Sequence, residues 1–274
     1  MKKNLRVACI QNNAGSDWEE NLKRLERLVS RAVKRKAKLI ALPETFCSRG
    51  RPNQFDFLAR ELTPRILQGF QEIARKTKTA FLLGSLLEST KRKKRYYNTS
   101  YLISESGKIA AKYRKIHLFD ANMKKKKLVV QESKHIESGS AAVTGTVCGV
   151  KAGLSVCYDL RFPELYRRLA ARGSRIIFVP ANFTHKTGEA HWEALLRARA
   201  IENQAFVIAP GQTGNHPYWK IKSHGNSMIV DPWGRILGRA GRDREEVLVC
   251  DLDLSYQAHL RREFPVLTHR RLHL

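Results

Sequence analysis

Short, wholly apolar runs separated by amphipathic stretches constrain this chain more than any other feature. "LRVACIQ" (5–11) and "KLIALPE" (38–44) carry apolar residues at neighbouring positions, not at every second one. A strand with that pattern is buried on both faces, as strands of parallel sheets are. Between the two runs, Leu22, Leu25, Leu28, Val29, Ala32 and Val33 recur at helical spacing, and Asp17 stands where an N-cap belongs. Strand, helix and strand in that order predict a parallel βαβ unit and an α/β fold.

The alternation continues to the far end. A helix is predicted across 62–76. "AFLLGSLLE" and "YYNTSYLIS" read as neighbouring strands, with "SESGK" (104–108) as a tight turn. "GLSVCYD" reads as a strand and "PELYRRLAARG" as a helix, with Pro163 in its first turn and Gly173 past its end. "RIIFVPA" and "AFVIAPGQ" read as strands around the helix "GEAHWEALLRARAIEN", "SMIVDPWGRILG" as a hairpin, and "EVLVCDLDL" as a last strand. No Pro/Gly/Ser-rich linker interrupts the series. The expectation is one α/β domain over 1–274, with a C-terminal tail at about 255–274 and enough strands to need two sheets.

No apolar run reaches the length of a membrane span, and the two N-terminal lysines precede a first strand, not a secretory signal. Five scattered cysteines form neither a disulfide framework nor a C-x-x-C pair, which points to a reducing cytoplasm. Lys and Arg number 51 against 25 acids, a formal charge of +26 that raises nucleic acid as a partner. The charge gathers in 34–38, 91–95 and 124–127 without interleaved aromatics or a nucleic-acid motif, so it reads as solvated surface.

Three predicted strand ends carry reactive side chains: Glu44, Lys115 and Cys157. Ligands and catalytic groups collect at the carboxyl ends of strands in open α/β sheets. Singly, each has a plain structural reading: a turn carboxylate, a solvated lysine, a small core residue. Together they supply what acyl transfer needs. A thiolate attacks an amide carbon, an ammonium lowers the thiol pKa and steadies the oxyanion, and a carboxylate moves the proton. Among nine histidines none stands at a strand end beside an acid. His117, two residues past Lys115, and His191 on a helix read as supporting residues. No H-E-x-x-H or Cys/His cluster suggests zinc, and no feature implies a metal or an organic cofactor.

With these residues in view, the chain resembles the nitrilase-like carbon–nitrogen hydrolase superfamily. "RVACIQ", "LIALPETF", "YRKIHLFD", "VCYDLRFPEL", "AHWEALLRARAIEN" and "SMIVDPWG" carry the resemblance, in order, from about residue 6 to about 271. It implies a four-layer α-β-β-α sandwich, commonly in a homodimer. It also implies a catalytic triad: Glu44 as base then acid, Lys115 on the oxyanion, Cys157 forming a thioester. The backbone amide of Tyr158 would be the second oxyanion donor. A second glutamate, Glu132 in preference to Glu137, would hold Lys115. Arg161, Asn182 and Phe183 are carried over as substrate-binding residues, although Arg161 could equally pair with Glu164.

Within the superfamily the motifs look most like the deaminated glutathione amidase and omega-amidase branch, the first being nearer. That implies hydrolysis of a small carboxylate-bearing amide. Nitrilase, omega-amidase and N-carbamoyl amidohydrolase chemistry stay open with the same triad, as does a basic nucleic-acid-binding protein on a hydrolase scaffold. Two departures stand out. Asn226 occupies a place where relatives usually carry histidine, and "MKKKKLVV" replaces a more mixed loop before Glu132. The four lysines 124–127 could steer an anionic substrate.

Overall fold

In the computed structural model, residues 4–123, 128–219 and 221–272 are described. The four lysines 124–127, read above as a possible steering rim, lie outside them.

The first apolar run forms strand Asn4–Gln11, and helix Trp18–Lys34 follows, its first turn capped by Asp17 Oδ1 accepting from the N–H groups of Glu19 and Glu20. Such a cap contributes about 1 kcal/mol. The chain then enters Leu39–Ala41, helix Thr63–Thr77 and Ala80–Ser89. The three strands pair in parallel, and Tyr96–Ile103 and Ile109–Arg114 extend them antiparallel on one side. Glu246–Asp253 closes the other edge, giving a sheet of six among the described residues.

The second half repeats the plan. Val150–Leu154, Ile176–Phe178 and Phe206–Ala209 pair in parallel, with helices Pro163–Ala171 and His185–Asn203 between them. Met228–Val230 and Ile236–Arg239 form the expected antiparallel hairpin at one side. Val143–Val147, which the sequence reading missed, lies at the other.

Why the runs lack polar alternation is now visible. In the first strand Val7 and Cys9 pack toward the second sheet, while Ala8 and Ile10 pack against helices Trp18–Lys34 and Thr63–Thr77. Leu39 and Ala41 against Ile40, and Ala80 and Leu82 against Phe81 and Leu83, divide in the same way. Successive side chains point to opposite faces, and here both faces are covered. The result is helices, sheet, sheet and helices: the four-layer α-β-β-α sandwich.

Three local readings differ. "GLSVCYD" stops being a strand at Leu154, and Cys157–Arg161 is a 3-10 turn. Ahead of Glu132, Asp120–Met123 pairs antiparallel with Leu128–Gln131, so the described part of "MKKKKLVV" is strand. The C-terminal stretch opens with helix Leu254–Glu263, capped by Asp253 and anchored by Gln257, whose side chain donates to the carbonyls of Arg175 and Gln204.

Candidate active site

Each reactive residue stands where a strand has just ended. Glu44 follows Leu39–Ala41, and Lys115 directly follows Ile109–Arg114. Cys157 opens the turn after Val150–Leu154. The first two come from one sheet and Cys157 from the other, so packing the sheets together assembles the site.

The Cys157 backbone is left-handed, at φ 50°, and so is Thr45, next to Glu44, at φ 51°. Such a conformation costs roughly 1–3 kcal/mol for a residue with a Cβ and needs surrounding bonds to hold it. At Cys157 they are its N–H to the Pro180 carbonyl (2.9 Å) and the Val156 N–H to Asp159 Oδ2 (2.8 Å). At Glu44 they are Gln212 Nε2 donating to the Glu44 and Thr45 carbonyls (3.0 and 3.2 Å).

Asp159 does more than close its own turn. Fully buried, it accepts from Tyr113 OH (2.7 Å) and from the His117 N–H (3.0 Å), and the His117 ring nitrogen Nδ1 lies 2.7 Å away. One carboxylate therefore fastens the nucleophile turn to both sides of Lys115. His117 does not share the Lys115 face as an extended segment would place it, because the strand ends at Arg114 and the ring turns to Asp159 and stacks on Phe162. Asp159→Ala would leave two buried donors, the Tyr113 OH and the Val156 N–H, and the half-buried His117 N–H without their acceptor. The expected loss, read by urea unfolding at pH 7, is on the order of 3 kcal/mol or more, with weaker activity in the folded remainder. A loss below 1 kcal/mol would contradict the clamp.

Lys115 is 2% exposed and sits between two carboxylates. Its Nζ donates to Glu44 Oε1 (3.1 Å) and to both oxygens of Glu132 (3.1 and 2.8 Å). Asn98 Nδ2 bridges the same Glu44 and Glu132 oxygens at 3.0 and 3.2 Å. The Asn182 N–H holds the other Glu44 oxygen at 2.8 Å, and the Phe119 N–H holds Glu132 at 2.7 Å. Glu137 lies elsewhere, beside Arg92 and Arg95.

Burial works against the Glu44 charge, but Lys115, the Cys157 thiol and the Asn182 N–H outweigh it, so its carboxyl stays below its ordinary value. Burial likewise opposes the Lys115 charge, and Glu132 and Glu44 reverse that, holding the ammonium well above its ordinary value. The Cys157 thiol goes the other way. Burial and the Glu44 carboxylate push it far up, and Lys115 offsets only part. Lys115 lowers the thiol pKa as the sequence reading expects, but burial and the Glu44 carboxylate outweigh it. Glu44 and Cys157 act on one another: the carboxylate pushes the thiol up, and the thiol helps hold the carboxylate down.

Arg161 does not pair with Glu164. Its guanidinium lies against the Tyr158 and Phe183 rings, with His191 Nδ1 at 3.1 Å, and it has no acidic partner among the described residues. Phe183 is buried against Trp192. The Asn182 Oδ1 accepts from Ser223 Oγ at 2.7 Å. Arg199 donates to the Leu160 carbonyl from Nε and Nη2, pinning the end of the nucleophile turn. Asn226 adopts φ 52°, which asparagine tolerates better than most residues, and its carbonyl accepts from Trp192 Nε1. Asn98, Asp159, Ser223 and Gln212 escaped the sequence reading. A buried asparagine inside the strand "YYNTSYLI" was the one visible signal.

Two packed sheets whose strand ends gather a cysteine, a glutamate and a buried lysine define a hydrolase of the carbon–nitrogen class. The chain belongs to the carbon-nitrogen hydrolase family, whose model matches residues 6–262. It is 37% identical to the deaminated glutathione amidase of Dictyostelium discoideum, over 99% of this chain and 96% of that protein. It is 36% identical to the omega-amidase NIT2 of Mus musculus, over 98% of this chain and 96% of that one. Among solved structures, Saccharomyces cerevisiae Nit3, a member of branch 10 of the nitrilase superfamily, superposes with a TM-score of 0.86 at 31% identity, covering 98% of this chain and 97% of its own. No helix among the described residues is long and apolar enough to cross a membrane.

Proposed function

We propose that this enzyme hydrolyses the amide of a small, carboxylate-bearing substrate through a Cys157 thioester, releasing ammonia or an amine. The observation that carries this reading is the buried cluster of Glu44, Lys115 and Glu132 beside the Cys157 thiol.

Glu44 takes the thiol proton as sulfur attacks the amide carbon. Charge then develops on the carbonyl oxygen, where Lys115 Nζ and the Tyr158 N–H are the donors. One such donor is worth roughly a hundred- to a thousandfold in rate. Glu44 returns its proton to the departing nitrogen, and the C–N bond breaks. Water next attacks the thioester, giving its proton to Glu44, and the acid leaves as the thiol reforms. Glu132 does not touch the reacting atoms in this scheme; it fixes and charges Lys115. Asn182 positions Glu44 through its N–H. Arg161, a cation without an acidic partner over Phe183, receives a substrate carboxylate.

The pH profile tests the assignment of the base. Glu44 acts only when ionised, and its pKa is lowered, so activity is present above the ordinary carboxylate value and lost as pH falls through the lowered one. kcat/KM is expected to stay flat from about pH 5 through neutral, around an ordinary Glu pKa of ~4.3. An acid limb near pH 6.5 would point to a histidine instead. Ammonia release from deaminated glutathione, α-ketoglutaramate, an aliphatic nitrile and an N-carbamoyl amino acid, with amine release assayed alongside, separates the amidase from its alternatives. Silence on all four would revive the nucleic-acid reading of the basic surface.

Five scattered cysteines without a disulfide-like spacing support the reading of a reducing cytoplasm as this enzyme's compartment. Exposed Ile201, Trp233 and Phe264 leave apolar surface for a homodimer, which sedimentation would register.

A further inference from the structure

Residues 50–53 face residues 217–219 across a cavity of about 530 Å³. Its lining is Gly50, Arg51, Pro52, Asn53, Pro217, Tyr218 and Trp219, with no acid among them. Arg51 is exposed, and its guanidinium carbon lies over the Tyr218 ring, 4.2 Å from the centroid. A guanidinium held against an aromatic ring keeps N–H groups available for a carboxylate. Among the described residues Arg51 has no acidic partner.

The neighbouring Arg49 adds a second unbalanced cation. It is 3% exposed, and among the described residues its guanidinium meets neutral acceptors: the Ala14 carbonyl, Asn13 Oδ1 and Ser223 Oγ. A buried cation without a carboxylate leaves positive potential in its surroundings. On the far wall His216 stacks on Trp219 at 4.3 Å, its Nδ1 accepting from the N–H groups of Tyr218 and Trp219. Burial, then Arg49, pulls the His216 pKa down to about 4, so this wall is a neutral aromatic platform at pH 7.

The cavity is wired to the chemistry. Arg49 Nη1 donates to Ser223 Oγ (3.0 Å), Ser223 Oγ donates to Asn182 Oδ1 (2.7 Å), and the Asn182 N–H donates to Glu44 (2.8 Å). Gly50, which follows Arg49, begins the cavity wall, and a Cβ there would meet the Gln54 side chain at 2.9 Å.

We infer that this cavity is a subsite for the far end of an extended amide substrate: Arg51 binds a carboxylate remote from the scissile bond, and Tyr218 and Trp219 carry the chain leading to it. The inference rests on the amidase reading and names its substrate class, an acid-ended, peptide-length amide. A short amide would leave the subsite empty.

Three amides separate the possibilities: deaminated glutathione, which ends in a free carboxylate, the same compound capped there as a primary amide, and α-ketoglutaramate. Arg51→Ala, an exposed change, is expected to raise KM for the acid-ended compound roughly tenfold, with kcat within twofold, and to leave the other two unchanged. Arg51→Lys should fall between, keeping the charge without the planar fork. Equal effects on all three compounds would overturn the subsite.

Failure of the amidase reading would look different: wild-type protein would turn over none of them. The cavity is then tested by binding alone, since Trp219 is half exposed on its wall. Acid-ended and capped compounds are titrated against tryptophan fluorescence of the Cys157→Ala protein, with Trp219→Phe assigning the signal. A saturable change from the acid form alone, lost with Arg51→Ala, supports the site. Identical titrations refute it.

Discussion

Cys157→Ala is expected to lower kcat by roughly ten-thousand- to a million-fold while the protein stays folded. The loss is large because base, oxyanion donors and nucleophile act as one unit, and without sulfur no thioester forms. The fold should survive because the change is small and local. Alanine at φ 50° bears the same backbone strain as cysteine, and the bonds that hold the turn run through the backbone N–H groups of Cys157 and Val156. Release of ammonia or amine and thermal unfolding, measured together, check both halves. Activity within a hundredfold of wild type would remove Cys157 from the chemistry.

Lys115→Met is expected to fail in two measurable ways. Turnover should fall at least a hundredfold, since an oxyanion donor is lost. Stability should fall by about 3–5 kcal/mol at pH 7, the range for breaking a buried ion pair by removing one partner. Two carboxylates, Glu44 and Glu132, would then face each other around Asn98 with no cation between them. The pH dependence should also change sign. In the wild type the Glu44 pKa is lowered by folding, so its contribution is present above the unfolded pKa and lost as pH falls. Without Lys115, burial and like-charge repulsion would raise the carboxyl pKa in the folded state. The variant would then be least handicapped at low pH and lose stability as pH rises through that raised value. Urea titrations at pH 4.5 and 7 distinguish the cases. A deficit that does not shrink toward pH 4.5 would mean that Lys115 is not the counter-ion of both acids. Adding Glu132→Gln to Lys115→Met should recover part of the loss.

The reading of elements from sequence succeeded where burial is two-sided. Continuous apolar runs mark strands covered on both faces, and the helix Trp18–Lys34 has its cap, Asp17, directly before it. It failed where structure depends on partners distant in sequence. Strand Val143–Val147 contains Thr144, Gly145 and Thr146 and has no apolar run to announce it. It is a strand because it pairs with Val150–Leu154. Cys157 looked like the last residue of a strand, but Asp159 and Pro180 bend it into a left-handed turn that its own composition does not specify.

The sequence by itself determined the layers, since two βαβ series with doubly buried strands have to stack between helices. It also brought out the candidate set, because Glu44, Lys115 and Cys157 each fall just past a strand inside a recognisable motif. Only the tertiary structure decided how those residues behave. A lysine alone lowers a neighbouring thiol's pKa, whereas here burial and the Glu44 carboxylate push the Cys157 thiol up and Lys115 offsets only part of the rise. Field and burial depend on distances between the ends of two different sheets, and those distances exist only once the sheets have packed.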